Sequence, residues 1–154
     1  RNNAPHYEHS EVGYNYRMSN VLAGIGRGQM LVLDERVAAR RKNYDTYFRE
    51  LSEIEGVSFL DEAKNNFSNR WLSCILTRSY DEREHIRLCL EKENIESRPL
   101  WKPMHMQPIF SKYPSYVNGV SEDLFQKGLC LPSGSNLTKE DLNRVIIKIK
   151  DCIG

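Results

Sequence analysis

The spacing of apolar and polar positions divides the chain into helical stretches, short strands and one long irregular segment. From residue 20 to about 54 the pattern is helical. Leu33, Val37, Tyr44, Phe48 and Leu51 recur at close to 3.6 residues and mark an inward face, while Glu35, Arg36, Arg40, Lys42 and Glu50 form a solvated one. Ser19 or Asn20 can cap the start, and Gly56 closes the region. Residues 57–60 read as a short strand. Residues 71–77 are apolar on both faces apart from Ser73, which predicts a central strand. Ser79 and Glu82 have capping-box spacing for a helix reaching about Glu93, with Ile86, Cys89 and Leu90 facing in. Residues 95–98 predict a third strand returning beside the second. A short helix over 121–127 and a buried extended piece over 129–131 follow. Thr138 caps the last helix with Asp141 in the box position, Leu137 is placed to staple onto Leu142, and Leu142, Val145, Ile146, Ile149 and Ile153 form its inward stripe. These elements predict an α+β fold, a small, mainly antiparallel sheet covered by helices.

Two stretches do not fit a self-contained core. Gly24, Gly26 and Gly28 lie in one helical run, where each glycine costs up to about 1 kcal/mol relative to alanine. A helix that keeps them is expected to meet another backbone closely. Residues 99–119 have no regular period yet hold Trp101, Met104, Met106, Ile109, Phe110, Tyr113 and Tyr116, which predicts a functional loop or one packed on a neighbour.

Composition narrows the functional classes. The 154 residues are 40% apolar and 28% charged, as expected of one soluble domain, and 22 basic against 21 acidic residues leave a net charge of +1. That balance leaves no electrostatic footprint for nucleic acid or an acidic membrane surface. No run of eighteen apolar residues and no signal-peptide pattern is present, and the start at Arg1 rather than Met is the pattern of an excised domain. Cys74, Cys89, Cys130 and Cys152 show no CxxC spacing and sit in apolar contexts, so they read as buried free thiols in a reducing cytosol rather than disulfides or a metal site. The histidine-tyrosine cluster of His6, Tyr7 and His9 lacks a third ligand, and no metal is expected. His85, among charges on a helix, reads as a surface residue.

The candidate chemistry is concentrated in two stretches. In Gly13-Tyr14-Asn15-Tyr16-Arg17-Met18-Ser19-Asn20, two ring hydroxyls, a carboxamide and a guanidinium precede a helix N-terminus, a setting suited to an anion. Asn15 can donate to a phosphate oxygen and Arg17 can supply charge. The same residues are also consistent with half-buried tyrosines and an Asn15 that only closes a turn. In Arg98-Pro99-Leu100-Trp101-Lys102-Pro103-Met104-His105, Trp101 offers a flat apolar wall, Arg98 a bidentate cation, and Lys102 and His105 reach for anionic or hydroxyl groups. His105 can equally be a satisfied histidine that ties down a proline-rich loop.

GYNYRMSNVLAGIGRGQM and RPLWKPMHMQP together resemble the pyridoxal-phosphate-dependent sugar aminotransferases of the DegT/DnrJ/EryC1/StrS family, over nearly the whole chain from about His6. The resemblance implies the C-terminal part of such an enzyme: residues 1–19 as the connection from a large cofactor-binding domain, and 20–154 as the small C-terminal domain of a fold-type I enzyme. It implies that the Schiff-base lysine lies in an N-terminal half, that these residues alone hold no catalytic group, and that they are inactive by themselves. Asn15 corresponds to the residue that reaches across a homodimer to the phosphate of the neighbouring subunit's pyridoxal 5'-phosphate. Arg17 either adds charge there or pairs with a carboxylate and stiffens the loop. Arg98, Trp101, Lys102 and His105 correspond to the substrate side of the site. The implied reaction is cytoplasmic, transferring an amino group from glutamate to a nucleotide-linked 4-keto-6-deoxy sugar for polysaccharide or glycan synthesis, with neither nucleic acid nor membrane as a partner. Two alternatives stand beside it, a sugar dehydratase of the same superfamily and a non-catalytic interaction domain. Without the large domain, the surface of residues 99–116 is expected to lie exposed and to self-associate or lose order.

Overall fold

A computed structural model describes Tyr14 and residues 16–153. Residue contacts divide the chain into two units, Arg1–Leu33 and Asp34–Gly154.

In the first unit, α1 (Asn20–Met30) starts at Ser19, whose side chain accepts a hydrogen bond from the Leu22 amide. None of its residues is buried, and Val21, Leu22, Ile25 and Met30 stand exposed. A Cβ added at Gly24, Gly26 or Gly28 would meet nothing within 4 Å. The close approach that these glycines lead one to expect is therefore not made by any described residue of this chain. The long helix expected from residue 20 is interrupted. Leu31 and Val32 donate to Gly28 and Gln29 in tight i→i+3 turns, and α2 (Leu33–Leu51) begins with Asp34 and Glu35 in its first turn. Weak glycine-rich propensity ahead of a β-branched residue accounts for a break at that point.

The second unit is a two-layer structure. Its sheet contains β1 (Ser58–Phe59), β2 (Ser73–Leu76), β3 (Arg98–Pro99) and β4 (Gly128–Leu131), in the order β1-β2-β4-β3 with every pairing antiparallel. The α+β class and the antiparallel sheet expected from the sequence are found. The neighbour expected for the third strand is not. β3 pairs with β4, and it is β4 that lies beside β2. The reason lies in the residues: all four positions of β4 are buried, whereas Pro99 has no N–H to give a central ladder and belongs at an edge.

Strand parity then separates two faces. Phe59, Ile75, Leu129 and Pro99 share one row, with Ser73 and Leu131 on the same side. Against this face pack α2, α3 (Tyr80–Lys92) and α5 (Lys139–Ile153), in one cluster that includes Tyr47, Leu51, Ile86, Leu90, Leu142, Val145, Ile146 and Ile149. Burying each aliphatic side chain contributes about 1.5–3 kcal/mol. The buried face of α2 is rotated from the expected one. Asn43, Tyr44, Tyr47 and Leu51 are buried, while Leu33 and Phe48 remain exposed. The expected solvated face is used as well. The Arg40 guanidinium donates to the carbonyls of Trp71 and Ser133, and Glu50 pairs with Lys150 of α5.

Caps follow the sequence closely. Asp141 donates its amide to Thr138 Oγ1 at 3.1 Å and returns a carboxylate to the Thr138 amide at 2.9 Å. Ser79 accepts from the Glu82 amide, but the Glu82 carboxylate turns to Arg78 instead, taking its amide at 2.8 Å. The short α4 (Val120–Lys127) leads directly into β4 at Gly128. There a Cβ would overlap Leu100 and lie 2.6 Å from the Leu124 carbonyl oxygen, so only glycine fits.

Two tests follow from these contacts. Tyr47, fully buried, donates its hydroxyl to the Pro132 carbonyl at 3.0 Å, tying α2 to the end of β4. Tyr47→Phe is expected to lower stability by about 1 kcal/mol, read as a lower urea midpoint at unchanged m-value. Glu62 receives both Nη atoms of Arg41, at 3.0 and 3.1 Å, and the Ser68 amide. The hydrogen bonds from Arg41 and then Ser68 pull its carboxyl from 4.5 down to about 2. A depressed carboxyl stabilises the fold above its unfolded value and loses that contribution as pH falls from about 4.5 towards 2. The melting-temperature gap between the native protein and Glu62→Gln should therefore be largest near neutral pH, narrow below about pH 4.5 and close only towards pH 2. A gap independent of pH would rule out the titration.

Candidate functional site

On the side of the sheet away from α2, α3 and α5 lies an open groove of about 670 Å³. Trp71, at the entry to β2, and Trp101, just past β3, have ring centroids 5.8 Å apart at a tilt of 32°. The walls continue with Arg98, Leu100, Phe125, Cys130 and Pro132. Both indoles are largely exposed, at 60% and 65%, so they present broad apolar faces to solvent. Such a paired aromatic surface suits a flat ring or the apolar face of a sugar.

Arg98 stands at the groove with its guanidinium on the Glu96 carboxylate at 2.5 Å, both side chains more than 70% exposed. An exposed pair of this kind holds its cation loosely. An incoming diphosphate or carboxylate can replace Glu96 on the same bidentate donor.

The remaining candidates from the same stretch are placed differently. Lys102 is exposed and does not line the groove. His105 sits in a short 3₁₀ turn (Met104–Met106) and shares a 2.7 Å hydrogen bond with Glu122 of α4. The carboxyl of Glu122 is held below its ordinary value by its own backbone amide, then by His105 and Ser121. In this structure His105 therefore anchors the proline-rich segment. That segment carries a second 3₁₀ turn (Pro108–Phe110) and exposes Met104, Ile109, Tyr113 and Tyr116.

Of the residues ahead of α1, Asn15 lies outside the described residues, as do His6, Tyr7 and His9. Arg17 is exposed and has an interaction partner. Tyr14 and Tyr16 stack on one another at 5.6 Å and are exposed, at 76% and 88%, rather than half-buried. With Ser19 capping the helix that follows, this segment offers donors to the edge of an anion such as a phosphate. Every lysine of the chain is exposed except Lys127 and Lys148, which are paired with Asp123 and Glu93.

Trp71, Phe125 and Cys130 were not identifiable as groove residues from the sequence. Trp71 reads as the first residue of a strand, and its place opposite Trp101 depends on β4 lying between β2 and β3. The four cysteines are free; Cys130 is buried and the other three are half-buried.

Residues 1–150 match the DegT/DnrJ/EryC1/StrS aminotransferase family. EpsN of Bacillus subtilis (strain 168), named as a provisional pyridoxal phosphate-dependent aminotransferase, is 47% identical over 150 residues, covering 95% of this chain and 39% of its own. A GDP-perosamine synthase of Escherichia coli O157:H7 is 36% identical over 137 residues, covering 88% of this chain and 36% of its own. The crystal structure of an aminotransferase, TlmJ from Streptoalloteichus hindustanus, superposes with a TM-score of 0.84 at 21% identity, over 94% of this chain and 39% of that one. The chain thus spans about two fifths of the length of the curated relatives it matches.

The His105–Glu122 contact makes a direct prediction. His105→Ala should speed amide hydrogen exchange across residues 103–111 by roughly threefold to tenfold, while leaving α5 unchanged. Unaltered exchange in the loop would show that the contact does not hold it.

Proposed function

The chain belongs to the DegT/DnrJ/EryC1/StrS aminotransferase family, and we propose that it is the C-terminal part of a pyridoxal-phosphate-dependent enzyme that aminates a nucleotide-linked 4-keto-6-deoxy sugar with glutamate as donor. The observation that carries this reading is the groove in which Trp71 and Trp101 face each other beside the loosely paired Arg98. An aromatic wall with a releasable guanidinium is what a sugar joined to a nucleoside diphosphate requires. The name of the perosamine synthase relative supports a nucleotide sugar as the substrate class.

In this reading Trp101 supports the sugar or base, Arg98 gives up Glu96 for the diphosphate, and Lys102 adds charge from outside the groove. His105 holds the loop that carries Trp101 and contacts substrate only by leaving Glu122. Asn15 and Arg17 serve the phosphate edge of the cofactor of a neighbouring copy in a homodimer. The exposed apolar residues of α1 support a surface that is covered in such an assembly. When bound, pyridoxal phosphate supplies the electron sink for transamination, and its Schiff-base lysine comes from chain beyond these residues. Residues 1–19 then form the connection to that larger part, the remainder forms the small domain, and the enzyme works in the cytoplasm.

The test uses the full-length protein with glutamate and a nucleotide-linked 4-keto-6-deoxy sugar, following formation of the 4-amino sugar. Arg98→Ala should raise KM for the nucleotide sugar by about tenfold to a hundredfold with little change in KM for glutamate, the expected loss for a charge-assisted contact. Asn15→Ala should weaken cofactor retention instead. Loss of sugar without amine formation would point to dehydration, and equal effects of Arg98→Ala on both substrates would remove Arg98 from the sugar site.

A further inference from the structure

On the groove side of the sheet, Arg98, Cys130 and Cys74 form one row across β3, β4 and β2, because Arg98 pairs with Cys130 and Cys130 with Cys74. The two sulfurs lie 3.7 Å apart. The ladder determines which kind of pair this is. Thr77 donates its amide to the Lys127 carbonyl, which makes 77 and 127 a hydrogen-bonded pair. Alternation along an antiparallel ladder then makes 76/128 non-bonded, 75/129 bonded and 74/130 non-bonded. At a non-bonded pair the Cα atoms approach to about 4.5 Å, inside the roughly 4.4–6.8 Å span that a disulfide bridges. Nothing in the amination reaction uses either thiol.

We propose that Cys74 and Cys130 are a modification site, an oxidisable dithiol that closes to a cross-strand disulfide in the wall of the groove. The oxidant is a small disulfide such as glutathione disulfide. Cys130 lines the groove, which gives a small disulfide its approach to the pair. The hydrogen bond shared by the two thiols favours one thiolate in the pair over two, and burial disfavours both. The Cys130 thiolate attacks one sulfur of glutathione disulfide and expels a glutathione thiolate, forming a mixed disulfide. The Cys74 thiol then loses its proton to that thiolate or to solvent, attacks the Cys130 sulfur, and expels the second glutathione. Two S–H bonds and one S–S bond are exchanged for one S–S and two S–H bonds, and the two electrons pass to glutathione. Closure draws the sulfurs from 3.7 Å to about 2.05 Å and locks β2 to β4 beneath Trp71 and Arg98.

This inference does not depend on the aminotransferase reading, and its test does not measure activity. The full-length native protein is incubated with glutathione disulfide, alkylated and digested with trypsin without reduction. Peptides 71–78 and 128–139, which carry Cys74 and Cys130, should be recovered joined and lighter by two hydrogens, with both positions lost to alkylation. Reduction should restore both, and Cys74→Ser should leave glutathione stranded on Cys130. Cys89→Ser, on α3, should leave the joined pair intact. Alkylation of both residues after treatment, or a bridge from either one to Cys89 or Cys152, would overturn the proposal.

Discussion

The burial of β4 is the constraint from which the second unit takes its form. Four residues, Gly128–Leu131, lie with no exposed position between two other strands, so their backbone groups must be paired on both sides. Gly128 permits this because Leu100 and the Leu124 carbonyl occupy the space where a side chain would stand. Tyr47 and Arg40 of α2 then fasten the carbonyls that follow, at Pro132 and Ser133. With β4 fixed, Leu129 and Leu131 belong to the helical layer and Cys130 to the groove. The segment thus serves the core on one face and a candidate binding surface on the other.

The elements with strong local signals were legible in advance. The final helix could be read from Thr138, Asp141 and its five-residue apolar stripe, and β2 from its run of apolar residues, because capping chemistry and periodicity act over a few positions. The order of the strands was not legible. Nothing in residues 95–98 or 128–131 states which of them lies beside β2; that depends on a pairing more than fifty residues apart in sequence. The rotation of α2 towards Tyr47 has the same origin, since the helix face is chosen by the sheet it meets. Arg98 and Trp101 could be named from the sequence, but Trp71 and the Cys74–Cys130 pair depend on register.

Several features of the chain are unsatisfied within it. The apolar side chains of α1 stand exposed and a side chain at any of its glycines would meet none of the described residues, and the segment from Met104 to Tyr116 exposes rings beside the His105–Glu122 anchor. The chain spans about two fifths of the length of its curated relatives, and in the proposed reading these surfaces are completed by other parts of the enzyme. On this account the small domain contributes walls and anchors to a reaction whose electron flow resides in the cofactor.

The measurement that tests this account most directly is the half-reaction. Full-length protein loaded with pyridoxal phosphate is mixed with glutamate alone, and the cofactor's absorbance is followed. The account predicts conversion of the aldehyde form to the amine form with release of 2-oxoglutarate, and reversal on addition of a nucleotide-linked 4-keto-6-deoxy sugar. A cofactor spectrum unchanged by glutamate and by other amino donors would contradict it.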